Sequence, residues 1–280
     1  MLQLNGEYKK CFNVYLPFDS YKVTLMTNFF SWLPDLPFSF FQGSLALLSA
    51  FIIGLSKAGI KGIGVIAIPL MAIGFGMKSS TGLVLLILIA GDLFATTYYF
   101  RYVEWHHVKR LLPYVLLGVL LGVWIGDIVP EQTFKQILGL IILISVIFLF
   151  YWEFRKVKRV PTSGWFGAIM GLIVGFTTMV GNLAGPFADI YFLAMQLPKN
   201  RFIGTVAWLF FITNLFKVPF HIFVWGTINT EMALFNLWLL PGVALGILIG
   251  IQLIKIIQEH QYRRLTLLLT AMGALFILLR

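Results

Sequence analysis

Charge is what this chain has least of. Asp, Glu, Lys and Arg make up 11% of its 280 residues, against about 25% in an average soluble domain. So small a supply cannot wet the surface of a soluble enzyme or keep a disordered segment solvated, and no nucleic-acid partner is expected. Cysteine is almost absent too: Cys11 stands alone, so an intramolecular disulfide is excluded, and no Cys/His spacing reads as a metal site. There is no His-Glu-x-x-His motif and no Gly-x-Ser-x-Gly elbow. Neither an enzyme nor a bound cofactor is expected.

Long apolar runs stand in place of the missing charge. Hydrophobic residues reach 59% and the mean hydropathy is +0.90. A helix that crosses a bilayer needs about 20 mostly apolar residues. Ten hydrophobic segments follow, at 41–57, 59–76, 80–100, 111–128, 135–152, 163–180, 183–196, 202–225, 235–257 and 264–280. None shows the polar/apolar alternation of a membrane barrel. The expected class is an all-α polytopic membrane protein with the lipid bilayer as its first partner.

Lys and Arg exceed Asp and Glu by ten, and the excess is gathered between segments. Arg101, Lys109 and Arg110 fall in one loop, and Arg155, Lys156, Lys158 and Arg159 in a second. Lys199 and Arg201 fall in a third, and Arg263 and Arg264 in a fourth. Stretches 129–134 and 226–230 hold no basic residue. The positive-inside rule then puts the four basic loops in the cytoplasm of a cell (inner) membrane. The leading tail, 1–40, carries Lys9, Lys10 and Lys22 and an interfacial aromatic group that includes Phe29, Phe30 and Trp32. Met26 is an alternative start, which would leave 1–25 upstream.

The chain repeats itself. Leu112-Pro113 with Gly118 and Gly122 returns as Leu240-Pro241 with Gly246 and Gly250, 128 positions on; Gly82 and Asp92-Leu93-Phe94 return as Gly204 and Asn214-Leu215-Phe216, 122 positions on. The expected domains are repeat 1 over 41–152, a basic linker over 153–162 and repeat 2 over 163–280. Five segments per copy is an odd number, so the second copy enters the membrane from the opposite side. Inverted repeats of this kind are typical of secondary transporters, whose substrate binds near the midplane.

The first two segments of each copy are broken, at Ser56-Lys57-Ala58-Gly59-Ile60-Lys61-Gly62 and at Thr177-Thr178-Met179-Val180-Gly181-Asn182 with Gly185-Pro186. A broken or re-entrant helical hairpin is expected in each. Backbone broken at membrane depth survives only where it lines a cavity or is buried in protein. A helix that restarts after a glycine offers unpaired N–H groups and the positive end of its dipole to an anion. Gly59, Gly62, Gly181 and Gly185 would expose backbone there. Ser56, Thr177, Thr178, Asn182 and Asn214 would donate hydrogen bonds, and Lys57, Lys61 or Lys217 would balance charge. The other reading of Lys57 and Lys61 is an ordinary cytosolic turn. Asp92, inside an apolar run, is read either as the ion-pair partner of Lys217 across the two copies or as a proton-coupling group.

At these turns the chain resembles the TauE/SafE sulfite-exporter family, over roughly 41–280. The residues that carry the likeness are the turn Gly59, Gly62 and Gly64 with Pro69, the turn Gly181 and Gly185 with Pro186, and Gly204-Thr205. Leu197-Pro198-Lys199-Asn200, with Asn214 and Lys217, is similar to one subgroup's pattern. Neither turn keeps the family's triple glycine. The resemblance implies export of a small sulfur-containing anion, sulfite or an organosulfonate, by alternating access. An anion channel of the same fold and a membrane scaffold without transport activity remain the alternatives, and a homo-oligomer is compatible with either.

Overall fold

The computed structural model describes residues 38–128 and 164–258, with Thr133 and scattered positions from 260 to 272. Every element among the described residues is helical. They run as α1 (Phe40–Ala58), α2 (Gly64–Phe75), α3 (Met77–Tyr98), a 3-10 turn (Phe100–Tyr102), α4 (Trp105–Ile128), α5 (Gly164–Gly181), α6 (Gly185–Ala194), α7 (Lys199–Phe223) and α8 (Thr230–Ile256). The expected segment 135–152, most of 264–280, the leading tail and the linker lie outside the described residues.

Local chemistry sets the ends. Ser39 and Gln42 form a capping box at the start of α1, and the Asn229 side chain accepts from the Met232 N–H at the start of α8 (2.8 Å). Pro198 precedes α7. Gly76, at φ 78°, turns the chain from α2 directly into α3.

Among the described residues six helices are long and apolar enough to cross a membrane: α1, α3, α4, α5, α7 and α8. α2 has 12 residues and α6 has 10. At about 1.5 Å per residue they reach only about 15–18 Å, half of a hydrocarbon core about 30 Å thick. Both short helices follow a break, Gly59–Ile63 in one case and Asn182–Ala184 in the other. The break therefore takes residues assigned to the expected segments 59–76 and 183–196. Helix α4 starts six residues earlier than expected, so Lys109 and Arg110 are helical and not in a loop. A helix end that projects past the apolar layer keeps its backbone bonds, and Glu104 starts this one by accepting from the N–H of His107 (3.0 Å).

The most extensive contacts join α4 to α5 and α8 to α1. Both are backbone-to-backbone seams. A Cβ on Gly118 would come within 2.2 Å of Leu172 O, and one on Gly246 within 2.1 Å of Phe51 O. Small residues of this kind let membrane helices meet closely. Helices α3 and α7 cross between the seams and run antiparallel: Tyr99 lies against Gly204, Asp92 against Asn214, and Thr227, just past α7, against Gly82.

Polarity is reversed relative to a soluble protein. Phe41, Leu48, Leu117, Trp124, Leu237 and Leu248 are exposed, whereas Lys57, Asp92, Asn214 and Lys217 are buried. Apolar surface on this scale fits lipid rather than water.

Candidate anion site

Two helix breaks face each other across one cavity. In the first hairpin α1 ends with Gly59 at φ 128°, a conformation that side chains rarely adopt, and Gly62 follows at φ 87°. The Tyr99 hydroxyl donates to Ala58 O (2.8 Å), which satisfies a terminal carbonyl of α1. In the second hairpin the left-handed turn falls to Asn182, at φ 56°. Asn is one of the few residues other than glycine that tolerate it.

The helices that restart after these turns, α2 and α6, have no side-chain cap at their N-termini. The Val65 N–H donates to Gly62 O (3.4 Å), the Ile66 N–H donates to Ile63 O (3.1 Å), and Pro186 has no N–H, so α2 offers the N–H of Gly64 and α6 those of Gly185 and Phe187, at the positive end of each dipole. Both starts border the same cavity, which measures about 70 Å³. A single water occupies about 10–15 Å³ by this measure, so there is room for roughly five waters or a small oxyanion.

Ser56, Lys57, Lys61, Gly62, Thr178, Asn182, Gly185, Asp189 and Asn214 line this cavity. Eight of the residues singled out from the sequence, all but Asp189 of these, are therefore in its wall. The other five lie off it. A Cβ on Gly59 would meet Ile203 and Ile254 rather than the cavity, and the Gly59 N–H is spent on Ser56 O (3.1 Å). Thr177 turns its hydroxyl back onto Ile173 O (2.7 Å). Gly181 ends α5, and Asp92 and Lys217 stand behind the wall.

Asp92 does not pair with Lys217. Its Oδ1 receives Lys57 Nζ at 2.5 Å and its Oδ2 receives Asn214 Nδ2 at 2.8 Å. The carboxylate thus ties the first hairpin to α3 and then to α7. Lys217 Nζ instead donates to Thr178 O (2.7 Å), Thr178 Oγ1 (3.2 Å) and Asn182 Oδ1 (2.6 Å). Three acceptors for one ammonium use all its donors, and the charge sits at the carboxyl end of α5, where the helix dipole favours it. Asn182 Nδ2 continues the chain to Thr81 O (3.0 Å) on α3.

Asp189 was not singled out from the sequence. It is 1% exposed, on α6, and acts electrostatically on Lys61. Its signal was the charge-free run over 160–188, which it ends. Among the described residues no group of His, Cys, Asp and Glu is placed to hold a metal ion.

None of the curated proteins or solved structures compared matches this chain with significance. The model of the family described as sulfite exporter TauE/SafE matches residues 46–277, which include both breaks, both short helices and every residue of the cavity wall. By that match the chain belongs to the sulfite exporter TauE/SafE family of multi-pass membrane transport proteins.

Proposed function

We propose that this chain exports a small sulfur-containing oxyanion, sulfite or an organosulfonate, by alternating access at the cavity between the two breaks. The observation that carries the reading is the meeting of two uncapped helix N-termini with Lys57 and Lys61 around one small cavity. Backbone N–H groups and ammonium groups are the donors an oxyanion needs. Ser56, Thr178, Asn182 and Asn214 would orient its oxygens.

An inverted duplication with two re-entrant hairpins supports the same mechanism. Asp92 and Asn214, 122 positions apart as the repeat requires, meet on helices that run antiparallel. The α4–α5 and α8–α1 seams exchange under the same relation. Positive-inside orientation in the cell membrane is supported by an ion pair between Arg201 and Glu104, which brings two of the basic ends to one side.

An inside-negative potential contributes about 2.3 kcal/mol per elementary charge per 100 mV, enough to drive anion efflux without a coupling ion. The test is flux from liposomes that contain the purified full chain, loaded with sulfite or methanesulfonate, with and without an imposed potential. Saturable efflux that rises with the potential is expected. Protein-dependent flux that never saturates would assign a channel instead, and absence of flux from folded protein would assign a scaffold.

A further inference from the structure

Apolar residues line the cavity as well: Val65, Ala184 and Phe210 stand among the charged groups, and four others lie to one side of them. On α1, Ile53 lies one turn before Ser56 and Lys57; on α2, Ile68 lies one turn after Gly64. On α3, Val84 and Leu88 lie two turns and one turn before Asp92. Helices α1 and α3 run parallel to each other and antiparallel to α2, so all four apolar residues recede from the break in the same direction. They form a short apolar sleeve next to the lysines. Sulfite or sulfate, polar on every side, leaves such a sleeve unused.

The charge inventory gives a second constraint. Three lysines stand in or directly behind the wall: Lys57, Lys61 and Lys217, each at most 7% exposed. Two aspartates face them, Asp92 paired with Lys57 and Asp189 in the same cavity wall as Lys61. Lys217 meets three oxygens, none of them acidic, and is counted here at its formal charge. The formal balance is one positive charge. A buried charge without a counter-ion is costly, and one negative charge brings the site to neutrality. A second negative charge would leave the opposite excess.

From these two features, and resting on the transport reading above, we infer that the cavity selects a singly charged alkanesulfonate. The sulfonate head lies between the helix N-termini and the lysines, and a tail of one to three carbons lies in the sleeve formed by Ile53, Ile68, Val84 and Leu88. Valence is read by the lysine–aspartate balance and tail polarity by the sleeve.

The test is a competition series on the full chain in liposomes, scored by half-saturating concentration. Sulfate, with two charges, should bind about tenfold or more weakly than methanesulfonate. Ethanesulfonate should bind about fourfold more tightly than methanesulfonate, the equivalent of about 0.8 kcal/mol for one buried methylene. 2-Hydroxyethanesulfonate, which adds a hydroxyl to that tail, should lose the gain. Sulfate equal to methanesulfonate overturns the valence argument, and 2-hydroxyethanesulfonate equal to ethanesulfonate overturns the sleeve. Both results leave transport itself standing, whereas no flux of any anion removes the transport reading and this inference together.

Variants give a second readout. Asp189→Asn raises the balance by one charge and should move the sulfate-to-methanesulfonate ratio towards sulfate. Lys61→Gln lowers it by one and should weaken both anions. Binding to the detergent-purified variants, measured by thermal shift with methanesulfonate or sulfate, separates loss of recognition from loss of fold. An unchanged ratio in folded Asp189→Asn overturns the inference.

Discussion

The two broken hairpins have the same backbone plan and opposite electrostatics. In the first, the cation is on the hairpin and its partner on a long helix: Lys57 reaches Asp92 of α3. In the second, the cation is on the long helix: Lys217 of α7 reaches Thr178 and Asn182 of the hairpin. The first turn uses glycines at positive φ and the second uses Asn182. One ion pair and one ammonium–amide cluster thus do the same task, which is to hold a discontinuous helix against its neighbour. Only the ion pair brings its own counter-charge; Lys217 of α7 meets neutral oxygens.

Removing one partner of the ion pair should break the comparison most. Asp92→Ala strands Lys57 in the interior, and a cost of about 3–5 kcal/mol is expected, read as a large drop in melting temperature in detergent and loss of flux. Lys217→Met removes a charged donor from three acceptors and should cost about 1.5–3 kcal/mol. It should also abolish anion flux in protein that remains folded in the membrane; wild-type flux would remove Lys217 from the mechanism.

Glycine substitution sharpens the contrast between the turns. Gly59→Ala forces a Cβ into a φ of 128° and towards Ile203, so about 1–3 kcal/mol of stability should be lost. Gly185→Ala, whose Cβ would meet only Val65 Cγ2 at 4.0 Å, should change stability by roughly 0.5 kcal/mol or less. Equal melting temperatures for these two variants would mean that the turns are not as different as their backbone angles.

Much of this was legible in the residues because membrane helices announce themselves by composition. The breaks at Gly59 and Gly181 fall where the apolar runs contain small and polar residues, and the helices that follow are short as a result. Asp92 and Asn214 stood out as matched polar positions in apolar surroundings. Their partners did not. Periodicity says which residues share a face of one helix, but it has nothing to say about which neighbouring helix that face meets. The sequence pointed to Lys217 as the partner of Asp92, and the crossing of α1, α3 and α7 gives it Lys57 instead. The helical start of α4 was hidden for another reason: its first turn, with His106, His107, Lys109 and Arg110, is polar and so lies outside any hydropathy window.

The α8–α1 seam bears on how the chain is made. Gly54 and Gly246 lie 192 positions apart in sequence. At about 5–20 residues per second of synthesis, the face of α1 that carries Gly54 waits roughly 10–40 s for its partner to emerge. Asp92 arrives only 35 positions after Lys57, so the ion pair closes within seconds. Contact order therefore sets a sequence of assembly, in which the first hairpin is anchored electrostatically on its own and then held open to lipid until almost the last described helix reaches the membrane. The long wait makes the glycine face of α1 the stretch of this protein most exposed to a misplaced helix or a quality-control protease during biogenesis.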